Sequence, residues 1–282
     1  MNATSLSPGY ALGGDRVRPR TAGPRSDVGN TVLAALFLAA VIVANVTLAQ
    51  GDGRMRVMAW IVTLLGMASI LACVGDSINK RPAGIIIDNR NRISLSKFQA
   101  TAWTVLILSG LITAVATRMH RGEADALDIK IPTELFAMMG ISVVSLVATP
   151  ALLSLKTHAE PEPEEIRSAL AVGSVDNEGK VHGRPDARGA MWSDIFRGDE
   201  VSNADSPDLG KVQQAFVTAL LLIFYGVAIG DALRADAIIA GMPNPGEQMA
   251  WLLGISHAGY LGYKAAPHSR TAAAPAPVEE VG

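Results

Sequence analysis

His257 is the one ionisable side chain well inside an apolar run of this chain, and Tyr260 lies one helical turn along on the same face. An ionisable group at membrane depth is costly and usually faces a bundle interior or an aqueous cavity. Two readings follow. His257 could titrate near neutral pH and line a proton or ion path. Alternatively it is a neutral histidine hydrogen-bonded within the bundle, with Tyr260, Tyr263 and Lys264 as interfacial anchors. Phosphate loops, nucleotide-binding glycine patterns, His-Glu zinc motifs and nucleophile elbows are all missing from the sequence. The expectation is therefore a non-enzyme with no cofactor, no bound metal and no nucleic-acid partner. The lone Cys73 excludes an intrachain disulfide.

Two further sets of residues recur. Leu95, Lys97, Gln99 and Thr104 reappear 114 positions later as Leu209, Lys211, Gln213 and Thr218. At the same offset Gly140, Ile141 and Ser142 reappear as Gly254, Ile255 and Ser256. Glycine lets a neighbouring helix come close, and serine offers an interhelical hydrogen bond. The Lys97/Gln99 and Lys211/Gln213 pairs fall where headgroups begin. They are either snorkelling anchors that set helix depth or a polar ring at the inner mouth of a pathway.

The elements that must position these residues are membrane helices. Apolar residues make up 49% of the chain and charged residues 18%, against about a quarter charged in an ordinary soluble domain. The charges are segregated, leaving six apolar runs at about 31–49, 57–74, 99–117, 135–155, 212–232 and 249–263. Lipid cannot satisfy backbone polar groups, so such runs predict helices. The sixth is short and rich in Gly, Ser and His. The predicted fold is an all-α polytopic bundle of six spans, in which an N-terminal hairpin (29–76) precedes two helical-hairpin repeats (77–155 and 208–266). Because both copies start on the same side, the repeats are parallel, unlike the inverted repeats of many transporters.

Eighteen of the 24 basic residues fall on one side of this arrangement and six on the other. The positive-inside rule then places both termini in the cytoplasm. Residues 1–28 read as a disordered basic arm and 267–282 as a disordered Ala/Pro tail. The first apolar run is too long for a cleavable signal and follows a long leader. The segment 84–94 suggests a small β-turn or hairpin lying against the membrane face. Ser94 and Asp208 are offered as N-caps of the helices that follow. Residues 156–207 form a cytoplasmic loop that opens on a stiff Pro/Glu spacer, and Trp192, Ile195 and Phe196 have the spacing of a short interfacial helix or a packed turn.

The stretches Ile87-Asp88-Asn89-Arg90-Asn91-Arg92-Ile93-Ser94-Leu95-Ser96-Lys97-Phe98-Gln99 and Leu252-Leu253-Gly254-Ile255-Ser256-His257-Ala258-Gly259-Tyr260-Leu261-Gly262-Tyr263-Lys264-Ala265 resemble uncharacterised bacterial multi-span integral membrane proteins. The likeness covers about 84–155 and 190–266. It implies membrane class and a bacterial inner-membrane location, and it carries no activity. The functional expectation is a non-catalytic membrane scaffold or regulator that holds a cytoplasmic partner through 156–207. The alternative is a channel-like component whose pathway, lined by His257, Ser142 and Ser256, runs between the repeats or along the axis of a homo-oligomer.

Overall fold

The computed structural model describes residues 24–170, 176–235 and 238–270. These are helical, joined by turns and isolated β-bridges, and there is no strand among the described residues. The long helices are α1 (Pro24–Thr47), α2 (Gly53–Asn79), α3 (Leu95–His120), α4 (Thr133–Ser154), α6 (Leu209–Arg234) and α7 (Glu247–Ala265), with a short α5 (Pro163–Leu170). Five of them, α1, α2, α3, α4 and α6, are long and apolar enough to cross a membrane. The sixth apolar run forms α7, which has 19 residues and falls outside that set.

Local chemistry explains the boundaries. Asp52 accepts from the Met55 N–H to start α2, and Lys80, left-handed at φ 56°, ends it. Ser94 and Asp208 accept from the Lys97 and Lys211 N–H groups and start α3 and α6, as their residue types indicate. Between α2 and α3 the β-branched run folds back on itself through one antiparallel bridge, Ile87 to Ile93, around Asn91 at φ 59°. A second bridge, Arg197 to Pro207, stands just ahead of α6.

α3 packs on α4 and α6, and α7 packs on both α4 and α6, so these four close a ring. The α1–α2 hairpin joins it chiefly through α2, which lies on α3 and α6. A Cβ on Gly53 would overlap the Arg234 carbonyl, so the start of α2 and the end of α6 meet at a point only glycine permits. At that same end Arg56, 3% exposed, donates to the carbonyls of Leu233 and Ala235 and closes the α6 terminus. Arg118 ties the two neighbouring loops together by donating to the carbonyls of Ile239 and Asp125.

Within the ring an apolar core runs from Trp103 and Leu106, near the middle of α3, past Leu221 and Tyr225 to Leu135 and Met138 at the end nearer these loops. The end nearer the 156–208 segment carries the buried polar side chains Ser96, Gln99, Lys211 and Gln214. Outside the ring α1 leaves Leu36, Ile42, Val43 and Val46 more than half exposed, the surface expected of a helix solvated by lipid.

Three sequence expectations are revised. Residues 24–28, assigned to the basic arm, belong to α1; residues 1–23 lie outside the described set. The Pro/Glu spacer does not stay extended, because Pro163 opens α5 and Glu164 and Glu165 sit in its first turn, where they favour the helix dipole. The C-terminal stretch does not come loose at Pro267: the N–H groups of His268 and Ser269 both donate to Glu200. Residues 271–282 lie outside the described set.

Candidate functional site

The segment 176–208 lies folded as a cap across the polar end of the ring. Arg81, just past α2, donates to the carbonyls of Ala187, Arg188 and Ala190. The Asn91 side chain reaches the Arg184 carbonyl, and the Arg184 N–H returns to the Arg90 carbonyl. Ile195 and Ala190 complete a small apolar cluster with Ile86, Ile87, Ile93 and Leu95. The Trp192–Ile195 stretch is thus a packed 3-10 turn that buries Ile195 and leaves Trp192 and Phe196 exposed.

Beneath this cap four cations converge on one carboxylate. Asp199 lies 2.6 Å from Lys264, 2.8 Å from Lys211, 3.1 Å from Arg90 and 3.6 Å from Arg92. These cations come from the end of α7, the start of α6 and the turn before α3. Arg90 also pairs with Asp88 at 2.7 Å, and Asp194 holds Arg184 at 2.9 Å and Arg92 at 3.8 Å. Lys156 joins the rim by donating to Glu200 and to the Lys264 carbonyl.

Burial alone would raise the Asp199 carboxyl, but Lys211, Lys264, Arg90 and Arg92 hold it well below the ordinary carboxylate range. Asp194 is likewise lowered, its hydrogen bonds from Arg184 and the Met191 N–H outweighing burial. Burial lowers Arg92, and the nearby Asp199 offsets only part of that. Arg90 moves the other way, since its pairing with Asp88 and Asp199 exceeds the cost of burial. His182 sits within this field. Burial, then Arg92 and Arg184, push it down to about 3, so it is neutral at physiological pH.

Below the cap a polar column enters the ring. Lys264 lies 4.6 Å above the Tyr260 ring, whose hydroxyl is 3.3 Å from Thr149, which in turn is 3.0 Å from Ser96. Gln99 donates to Thr218 at 2.7 Å and accepts from Gln214 at 2.9 Å, with both glutamines fully buried.

The residues singled out by sequence distribute unevenly over this site. Lys211 is buried and bound to Asp199, and so does not snorkel; Lys97 is half-buried and donates to the Ile87 carbonyl. The offset that aligned Gln99 with Gln213 points one residue off, because Gln213 is exposed and Gln214 takes the inward position. His257 is 2% exposed, and its Nδ1–H donates to the Leu253 carbonyl one turn back. Ser142 and Ser256 are both buried, the first hydrogen-bonded to the Met138 carbonyl. Gly254 lies near Ile141, whereas Gly140 meets nothing.

Sequence reasoning missed Asp199 and the inward roles of Arg90, Arg92 and Lys264. The available signal was opposite charge in two distant stretches: Arg90 and Arg92 in one, Asp194 and Asp199 in the other. What this arrangement can do is lock a cap onto a helical bundle. No group of acidic, histidine or cysteine side chains among the described residues could hold a metal ion. Compared with protein-family models, curated proteins and solved structures, the chain finds no match in any of the three.

Proposed function

We propose that this chain is a six-span protein of a bacterial inner membrane, with both termini and the cap in the cytoplasm, and that it works as a non-catalytic scaffold or regulator. The observation that carries this reading is closure at both ends of the ring. Ion pairs on Asp199 seal the cap end, and the apolar cluster that runs from Trp103 to Leu135, Ile229 and Leu233 fills the ring beyond it. A conduit needs a continuous wet path, whereas a scaffold needs a rigid face, which the folded cap supplies. Exposed Trp192 and Phe196 give that face its apolar contacts for a cytoplasmic partner.

Several observations support six spans. α7 is about 28 Å long at 1.5 Å per residue, near the roughly 30 Å of a bilayer core. It runs beside α4 and reaches the cap at Lys264. Parallel repeats agree with the matched caps at Ser94 and Asp208 and the matched bridges before them. Membership in an uncharacterised bacterial membrane family rests on the sequence stretches quoted above.

The test is ion and proton flux through the purified full chain in liposomes between pH 5 and 8, paired with partner recovery from membranes. The scaffold reading expects flux no greater than in protein-free vesicles, and partner recovery that falls when Trp192 and Phe196 are replaced by serine. Flux that His257→Ala abolishes would overturn it in favour of an oligomeric pathway. Recovery unchanged by the double substitution would remove the cap as the docking face.

A further inference from the structure

A groove of about 570 Å³ runs along the bundle between α2, α3 and α6. Ala68 and Ala72 on α2 and Ala102 on α3 leave the room for it, and Leu64, Leu106 and Leu222 line its depth. Ile223 also lines it and is 60% exposed, so the groove is open to whatever surrounds the bundle. At the cap end it has a roof, made by the Pro82–Ile86 turn and Trp192.

Length and closure narrow the occupant. The wall runs from Ala72 to Leu64 on α2 and from Phe98 to Leu106 on α3, about 12 Å in each case at about 1.5 Å per residue. One leaflet of a bilayer core is roughly 15 Å deep, half of about 30 Å. A spanning helix of a partner or of a second copy needs the full core, and the roof stops it short of the cap. A hydrocarbon chain entering from the cap-side leaflet needs only this depth. Apart from Thr101 and the Trp192 indole N–H, the lining side chains are apolar, which suits methylenes.

The charges beside the roof select the head of that chain. Arg81 precedes Pro82 and reaches the cap through one terminal nitrogen, which donates to the carbonyls of Ala187, Arg188 and Ala190. Its other two nitrogens remain for a further acceptor. Arg188 is exposed on the same cap turn. Neither arginine is ion-paired among the described residues. One exposed carboxylate, Asp186, shares the turn and caps it by accepting from the Arg188 N–H. Asp194 is taken by Arg184 and Arg92, and Lys80 pairs with Asp27. The balance at this rim is positive.

We propose that this groove holds one acyl chain of a phospholipid with an anionic headgroup, as phosphatidylglycerol has. The chain lies against Ala68, Ala102 and Leu106, and its phosphate stands beside the roof at Arg81 and Arg188. Trp192 marks the level where the two regions meet, as tryptophans do at membrane interfaces. Guanidinium groups suit phosphate because their paired donors match its oxygens. Phosphatidylcholine fills the groove equally well but brings its own cation to a positive rim. Because Arg81 also binds cap carbonyls, lipid here ties the bilayer to the cap independently of the Asp199 cluster. The proposal rests on the membrane-spanning reading above and not on the choice between scaffold and pathway.

The experiment uses the full chain in vesicles and nanodiscs of defined composition, with retained lipid counted by native mass spectrometry. Flotation with vesicles after alkaline washing is scored first. A chain that does not float overturns the spanning reading, and this proposal with it. A floating chain is expected to keep one phosphatidylglycerol about 25-fold more strongly than phosphatidylcholine, about fivefold from each arginine near the surface. Arg188→Gln, at an exposed side chain, is expected to cut that preference about fivefold. Ala102→Phe fills the groove and is expected to bring retention of either lipid down to that of bulk lipid. Val147→Phe, on the exposed face of α4, is expected to leave retention intact. Should Ala102→Phe disturb folding, Ala68→Phe on the α2 wall replaces it. Retention unchanged by a filled groove, or equal for the two lipids, overturns the proposal while leaving the spanning reading in place. A retained fatty acid in place of the phospholipid overturns the phosphate assignment.

Discussion

Replacing Asp199 by asparagine removes the charge that Lys264, Lys211, Arg90 and Arg92 share at 2.6–3.6 Å. The side chains involved are 2–13% exposed, so water cannot take over the role. With Arg184 included, five cations already face three carboxylates in this region, and the substitution leaves two. Removing one partner of a buried ion pair typically costs about 3–5 kcal/mol. That energy is lost where the cap meets the ring, because Asp199 stands on the cap while Arg90, Lys211 and Lys264 belong to the turn and helices beneath. Cap opening should therefore rise about 10²- to 4 × 10³-fold, while the helices stay folded. Hydrogen exchange in detergent or nanodiscs reads this directly. Amides of 176–208 and 266–270 should lose protection in Asp199→Asn, and those of α3 and α6 should keep it. Adding Lys264→Met should restore part of the loss, since neighbours in one network couple by about 0.5–3 kcal/mol. Unchanged cap protection in Asp199→Asn, or strictly additive losses in the double variant, would show that the ion cluster does not hold the cap.

Two other perturbations follow from the same geometry. His182 is held at about 3 in the folded cap against 6.5 in a free chain, so the unfolded segment binds the extra proton. Its contribution is fully present above pH 6.5 and is lost as pH falls toward 3, at about 1.4 kcal/mol per pH unit; exchange profiles of the cap should show this slope and His182→Gln should flatten it. Gln99→Leu strands the Gln214 amide and Thr218 in the core and should cost about 2 kcal/mol or more in a denaturant titration, whereas Gln99→Leu with Gln214→Leu should recover most of it. A double variant no better than the single would mean that this pair is not what those glutamines are buried for.

Much of the fold was legible because its causes are local. Apolar runs of helical length announce helices wherever they sit, and a Ser or Asp ahead of such a run caps it, as Ser94 and Asp208 do. The Ile-rich stretch broken by Asp88 and Asn89 turned where its residue types favour a turn. Local reasoning failed at Pro163, where proline and two glutamates started a helix in place of an extended spacer. It failed again at Gln213, since one residue of helix is about 100° of rotation and an offset between copies does not fix which glutamine faces inward.

By itself, then, the sequence determined the class of protein, the helices and their caps, because these follow from hydrophobicity, period and side chains within a few residues of one another. The tertiary structure alone decided the site. Asp199 meets cations drawn from positions 90 to 264, and Gln99 meets Gln214 across 115 residues. A buried charge is tolerable only when its partners close around it, and no residue's type states which distant partners the folded ring will bring.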